Sequence, residues 1–271
     1  MSVQTKTSRH TLRTLSAMKN KERVAMLTAY DVVTATCLDE AGVDILLVGD
    51  SLGNVVYGFD STLPVTIDMI LAHTASVVRG SKRAFVVADL PFMTYQVNAE
   101  DALRNAGRCL AEAGAHAVKL EGASSTICET ISRLVDAGIP VMGHIGLTPQ
   151  SVHQMGGYYT HGKTEASADR LLREAHALAK AGCFAIVLEC VEEKLAQKIR
   201  TDVPVLTIGI GSGSVCDGEV LVINDILGFS PGVSPKFAKV HIDLKKIVNE
   251  VAANYVKETK TAPKKESVVW S

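Results

Sequence analysis

The sequence predicts an α/β protein folded as a (β/α)8 TIM barrel. Three observations carry this. Short apolar runs alternate with helical stretches along nearly the whole of the 271-residue chain, the pattern of strands and helices interleaved in one α/β unit. Helical stretches end in Ala-Gly just ahead of an apolar run at 41–42, 113–114, 137–138 and 181–182. Seven or eight such runs, each followed by a helix or a long loop, match a closed barrel, which takes about 250 residues. A doubly wound open sheet is the alternative. It wants a glycine-rich phosphate turn directly after the first strand, and TAYD at 28–31 is not one.

The elements follow in order. Residues 24–29 (VAMLTA) read as the first strand and 31–41 as a helix stopped by Gly42. The second strand lies in 43–53, where Ile45, Leu46, Leu47 and Val48 suit a strand buried on both faces. Residues 53–65 form a loop with breakers Gly58, Asp60 and Pro64. A helix over 66–79 carries Ile67, Ile70, Leu71, Thr74 and Val78 on one face. The third to seventh strands fall at 84–90, 116–120, 140–144, 184–188 and 203–210, and 220–223 supplies the eighth. Helices at 99–113, 126–137, 166–181 and 192–200 separate them, with a glycine- and tyrosine-rich loop at 156–163 and a closing helix at 242–256.

Bulk properties exclude several classes. A net charge of −1 provides no basic field to attract nucleic acid or an acidic membrane. No apolar run reaches the roughly 18 residues of a membrane span. The six cysteines form no CxxC pair, so neither a zinc site nor a disulfide framework is indicated, and reduced thiols in the cytoplasm are the simplest account. The first 21 residues lack an apolar signal region. They carry Lys6, Arg9, Arg13, Lys19 and Lys21 with no acid, which reads as a basic arm leading into a single domain spanning 1–271. The tail from Lys257, with Lys260, Lys264 and Lys265, reads as solvated and partly disordered.

The chemistry gathers at strand ends. In such a barrel the C-terminal ends of the strands build the catalytic face. Strands two to six end in Asp50, Asp89, Glu121, His144 and Glu189. Alone, Asp50 reads as a cap for the following loop. Four acids at one mouth repel one another in a low-dielectric pocket, so a positive group belongs among them. Oxygen ligands without paired Cys or His suggest Mg²⁺ or Mn²⁺. Lys119 stands two residues before Glu121 and faces the same side of its strand, where it can balance the acids or stabilise a developing enolate. Residues 208–213 (IGIGSG) are a candidate phosphate cradle, weak evidence by themselves. Cys190 alternates away from the pocket. His73, His116, His153 and His161 read as structural, and Tyr158 and Tyr159 as loop packing.

The motifs LTAYD (27–31), LVGDSLG (47–53), DSTLPVT (60–66), ADLPF (88–92), VKLEG (118–122), GHIGLTPQ (143–150), VLEC (187–190) and PKFAK (235–239) resemble the ketopantoate (3-methyl-2-oxobutanoate) hydroxymethyltransferase family, in order over about 10–257. That resemblance implies a barrel of the phosphoenolpyruvate/pyruvate type. It implies transfer of a hydroxymethyl group from 5,10-methylenetetrahydrofolate to 3-methyl-2-oxobutanoate, on the way to pantothenate. It further implies Mg²⁺ on Asp50, Asp89 and Glu121, keto-acid contacts from Asp50, Ser51, Asp89 and Lys119, Glu189 as proton acceptor, and a homo-oligomer, often a decamer. Ser212, Glu219 and Phe59 depart from the family pattern near the mouth or assembly surfaces. The rival reading is another Mg²⁺-dependent lyase or aldolase acting on keto acids, as in the isocitrate lyase group. Its Lys-Lys-Cys-Gly-His type loop has no counterpart in this sequence. A non-catalytic barrel would have lost part of the acid ring.

Overall fold

Eight short strands, most of them too apolar to face water on either side, pair in parallel and close on themselves in the order β1-β2-β3-β4-β5-β6-β7-β8. The computed structural model describes residues 8–157, 159–232 and 235–262. Residues 1–7 with Lys6, Tyr158, and the tail with Lys264 and Lys265 lie outside the described residues. Two compact units divide after Ile223.

The first unit holds α1 (Leu12–Ser16), β1 (Val24–Thr28), α2 (Val32–Ala41), β2 (Ile45–Val48), α3 (Leu52–Val55), α4 (Ile67–Gly80), β3 (Phe85–Asp89), α5 (Ala99–Ala111), β4 (Ala117–Glu121), α6 (Ser125–Asp136) and β5 (Val141–Gly146). A 3-10 turn (Pro149–Ser151) follows, then α7 (Val152–Met155), α8 (Glu165–Ala181), β6 (Ala185–Glu189), α9 (Glu193–Asp202), β7 (Leu206–Ile210) and β8 (Gly218–Leu221). The short α10 (Ile223–Ile226) begins at the unit's last residue.

Helix starts are written into the sequence. Asp31, Thr66, Asn98, Ser124 and Thr164 each accept a backbone N–H from the first turn of the following helix. The four Ala-Gly ends all place glycine at positive φ, so each helix stops where the sequence says it should. The eighth strand begins two residues earlier than its apolar run, because Gly218 pairs with Val24 and Glu219 with Ala25. The loop expected at 53–65 holds part of α3, and the stretch after β5 holds the 3-10 turn and α7, all too short to show a periodic pattern.

The core is a stack of alternate residues pointing into the barrel. Met26, Ile45, Leu47, Phe85, Val87, Ala117, Met142, Ala185, Val187, Leu206 and Ile208 form one buried cluster. Leu15 and Met18, from α1 and the turn after it, belong to the same cluster. The basic arm therefore delivers an apolar stopper. Its charges are anchored: the Arg9 guanidinium donates to the carbonyls of Ser81 and Ala84, and Lys19 Nζ reaches Val205 O at 2.8 Å and the buried Asp217 carboxylate at 2.9 Å.

The second unit contains α11 (Leu244–Thr261). It runs five residues beyond the expected end, so Lys257 and Lys260 stand on a helix. No residue of α11 is buried. Among the described residues no helix is long and apolar enough to cross a membrane.

Leu15 is wholly buried. Leu15→Ala is expected to lower the unfolding free energy by about 2–5 kcal/mol, read as an earlier midpoint in a urea titration.

Candidate active site

Strand register assembles the site. Asp89 pairs with Lys119, Glu121 with His144, and Gly146 with Glu189. Side chains at these inward positions, with Asp50 and Ser51 from the turn after β2, line one cavity of about 180 Å³. That is below the roughly 300–1,000 Å³ of drug-sized sites and suits a small ligand. Leu47, Val187, Ile210 and Val220 give it an apolar wall. All the sequence-predicted site residues therefore come together: Asp50, Ser51, Asp89, Lys119, Glu121, His144 and Glu189.

Lys119 is 4% exposed, and its Nζ lies 2.8 Å from Asp89 Oδ2. Asp89 Oδ2 also accepts the backbone N–H of Asp50. His144 stands between two acids, with Nδ1 3.5 Å from Glu121 Oε1 and Nε2 3.1 Å from Glu189 Oε2. These are ion-pair distances without hydrogen-bond alignment, since both ring nitrogens and Glu121 Oε1 lack a hydrogen-bond partner. A side chain on Gly146 would strike the carbonyl of Glu189, so glycine there permits the close approach of β5 and β6.

The electrostatics show crowding. Burial is the main force on Asp89 and raises its pKa to about 7. Lys119 opposes this, while Asp50 and Glu121 add to it. Burial also raises Glu121, partly offset by His144. Burial and Lys119 push His144 down, yet Glu121 and Glu189 outweigh them and its pKa stands at about 9. Lys119 is likewise held protonated against burial by Asp89, Asp50 and Glu121. The cavity has more acid than its own cations neutralise.

A hard cation fits this donor set. Asp89 Oδ1 and Glu121 Oε1 are buried oxygens with no hydrogen-bond partner, on two residues that line the cavity together with a third carboxylate, Asp50. Among the described residues no three acidic, imidazole or thiol groups converge as a finished metal cage. Mg²⁺ does not need one, since it keeps several waters and takes one or two protein carboxylates.

Other expectations sort as follows. The IGIGSG run does not offer an anion cradle. Glu193 accepts the Ser214 backbone N–H and occupies the space a side chain on Gly213 would need, so a carboxylate already fills that place. Ser212 Oγ instead ties strand ends together, donating to Leu188 O at 2.8 Å and accepting from Val191 N at 2.9 Å. Cys190 does not line the cavity, and burial with Glu189 beside it pushes its thiol up to about 11. His73 bridges Tyr30 O and Tyr57 Oη, and His116 Nδ1 accepts from Val86 N. Residues that sequence reasoning passed over include Tyr30, whose Oη is 2.9 Å from Ser51 Oγ, Asn54 and Thr62 in the cavity wall, and Gln150 and Tyr95 behind the carboxylates.

Breaking a buried pair leaves an uncompensated charge. In EDTA, Lys119→Met is expected to cost about 3–5 kcal/mol of stability, and adding Asp89→Asn to recover much of it, both read by denaturant titration.

Solved structures share this fold. Phosphoenolpyruvate phosphomutase from Streptomyces platensis subsp. rosaceus matches with a TM-score of 0.64 at 17% identity, covering 93% of this chain and 88% of that one. A 2,3-dimethylmalate lyase, described as a PEP mutase/isocitrate lyase superfamily member, matches at 0.60 and 16%, covering 95% and 91%. At these identities the likeness shows the fold alone, a closed (β/α)8 barrel. Sequence similarity is far closer to the 3-methyl-2-oxobutanoate hydroxymethyltransferases. That of Carboxydothermus hydrogenoformans is 56% identical over 253 residues, 93% of this chain and 91% of the relative. That of Syntrophus aciditrophicus is 52% identical over 261 residues, 96% of each chain. The ketopantoate hydroxymethyltransferase family model matches residues 9–264. On that match the chain belongs to the ketopantoate hydroxymethyltransferase family and is a hydroxymethyltransferase.

Proposed function

We propose that the chain transfers a hydroxymethyl group from 5,10-methylenetetrahydrofolate to 3-methyl-2-oxobutanoate, giving 2-dehydropantoate for pantothenate biosynthesis. The observation that carries this is the single cavity in which three carboxylates, a buried lysine and Glu189 meet against an apolar wall. Family membership names the reaction class. Asp50, Asp89 and Glu121 hold Mg²⁺ in this reading. When bound, Mg²⁺ supplies Lewis acidity that lowers the cost of negative charge on the keto oxygen.

The chain's own residues do the rest. Ser51 donates its hydroxyl to the substrate carboxylate, steadied by Tyr30. Lys119 turns its ammonium toward the same anion and toward the charge that develops as C3 loses its proton. Glu189, not needed as a ligand, accepts that proton. C3 then bonds to the methylene carbon, whose two bonds to folate nitrogens break in turn; water supplies the hydroxyl, and the two nitrogens take up the proton held by Glu189 and the one the water gives up. The apolar wall of Leu47, Val187, Ile210 and Val220 receives the branched end of the keto acid. We further propose a cytoplasmic location, with which the six free cysteines agree, and a homo-oligomer such as a decamer.

Three outcomes test this. Product analysis with the keto acid, methylenetetrahydrofolate and Mg²⁺ should yield 2-dehydropantoate. A lyase acting on keto acids would give a cleavage product instead. Glu189→Gln should retain Mg²⁺ binding and lose C3 deuterium exchange by about 10²-fold or more; exchange at the wild-type rate removes Glu189 as the base. Protons compete with the metal for Asp89. Its carboxyl is mostly protonated below pH 7 and ionised above it, so Mg²⁺ affinity should rise about tenfold between pH 6 and pH 8, followed by calorimetry.

A further inference from the structure

We infer that Gln150, pinned by Tyr95, is a positioning residue that sets the orientation of both Asp50 and Glu121 for the cation. This rests on the reading of those two acids as Mg²⁺ ligands.

Gln150 lies in the 3-10 turn after β5, is 4% exposed, and satisfies its whole side-chain amide inside the protein. Its Nε2 donates to Asp50 Oδ2 at 3.0 Å and to Leu90 O at 3.0 Å. Its Oε1 accepts from Tyr95 Oη at 2.8 Å and from Gln96 Nε2 at 3.2 Å. The amide cannot turn over, because reversal would set its oxygen against two acceptors, the Asp50 carboxylate and the Leu90 carbonyl. Tyr95 is held in turn: its oxygen accepts the backbone N–H of Glu121 at 3.1 Å, leaving its hydrogen for Gln150. The backbone N–H of Gln150 then donates to Glu121 Oε2 at 3.1 Å.

One residue thus grips one oxygen of each acid. Glu121 is left with Oε1, the oxygen without a hydrogen-bond partner. Gln150 stands 100 residues from Asp50 and 29 from Glu121, so it ties strand ends that have no register of their own with one another. A neutral amide suits the task. A carboxylate there would add to the crowding, and a cation would neutralise an acid the metal needs.

The test is a calorimetric titration of the full-length protein with Mg²⁺ alone at pH 8. Gln150→Met keeps the volume and removes the amide. It should bind Mg²⁺ about 10–100-fold more weakly and regain turnover when Mg²⁺ is raised. A folded Gln150→Met with wild-type Mg²⁺ affinity overturns the inference. Should that variant fail to fold, Tyr95→Phe decides, with about tenfold weaker binding expected and wild-type affinity overturning it. A wild-type chain that takes no Mg²⁺ overturns the metal reading itself, and this inference with it.

Discussion

The register between neighbouring strands is the constraint on which the site depends. It sets Asp89 beside Lys119, Glu121 beside His144 and Gly146 beside Glu189. Side chains alternate with a period of two, so a slip of one residue in β4 would turn Lys119 and Glu121 out toward the helices and bring Val118 and Leu120 inward. Asp89 and His144 would then be buried without their neighbours. Ala117 below, packed in one cluster with Val87 and Met142, holds that register, because the same slip would send it out of the core. Packing at one level of the barrel therefore fixes the chemistry of the next.

What the register assembles is a deliberate imbalance. Four carboxylates face one lysine and one histidine in the cavity. The excess is visible in an aspartate raised to about 7 and an imidazole raised to about 9. Such a site contributes little to stability by itself. On the reading proposed above, that excess of acid is what a cation would offset. The network around Gln150 adds direction to that charge by holding one oxygen of Asp50 and one of Glu121.

Much of this was legible in the sequence, for a physical reason. A buried strand is apolar along its length, so an acid at its end stands out, and Asp50, Asp89, Glu121 and Glu189 could be read as a ring before any coordinates. Lys119 followed from its spacing to Glu121. Gln150 and Tyr95 were not legible as parts of the site. They are neutral, they sit outside the strands, and their meaning comes from partners up to 100 residues away. The glycine run at 208–213 was only weak evidence for a phosphate cradle, because glycine frees the backbone without saying what will fill the space. Here Glu193 does. The eighth strand was misplaced because Gly218 and Glu219 join it by pairing with β1, and the last turn of α11 because an exposed polar helix carries no apolar stripe to mark its end.

The stopper at the other end has a consequence for how the chain comes to exist. Lys19 is separated by 186 residues from the carbonyl of Val205 and by 198 from Asp217, and β1 finds its second neighbour only in β8. The segments made first must wait for the segments made nearly last. At about 5–20 residues per second, that wait is roughly 10–40 s, during which Leu15, Met18 and the free edge of β1 have no finished partner. Closure is a late and non-local event, which slows folding. The ribosome, or whatever meets the nascent chain, encounters an open sheet with an uncovered edge long before it encounters a barrel.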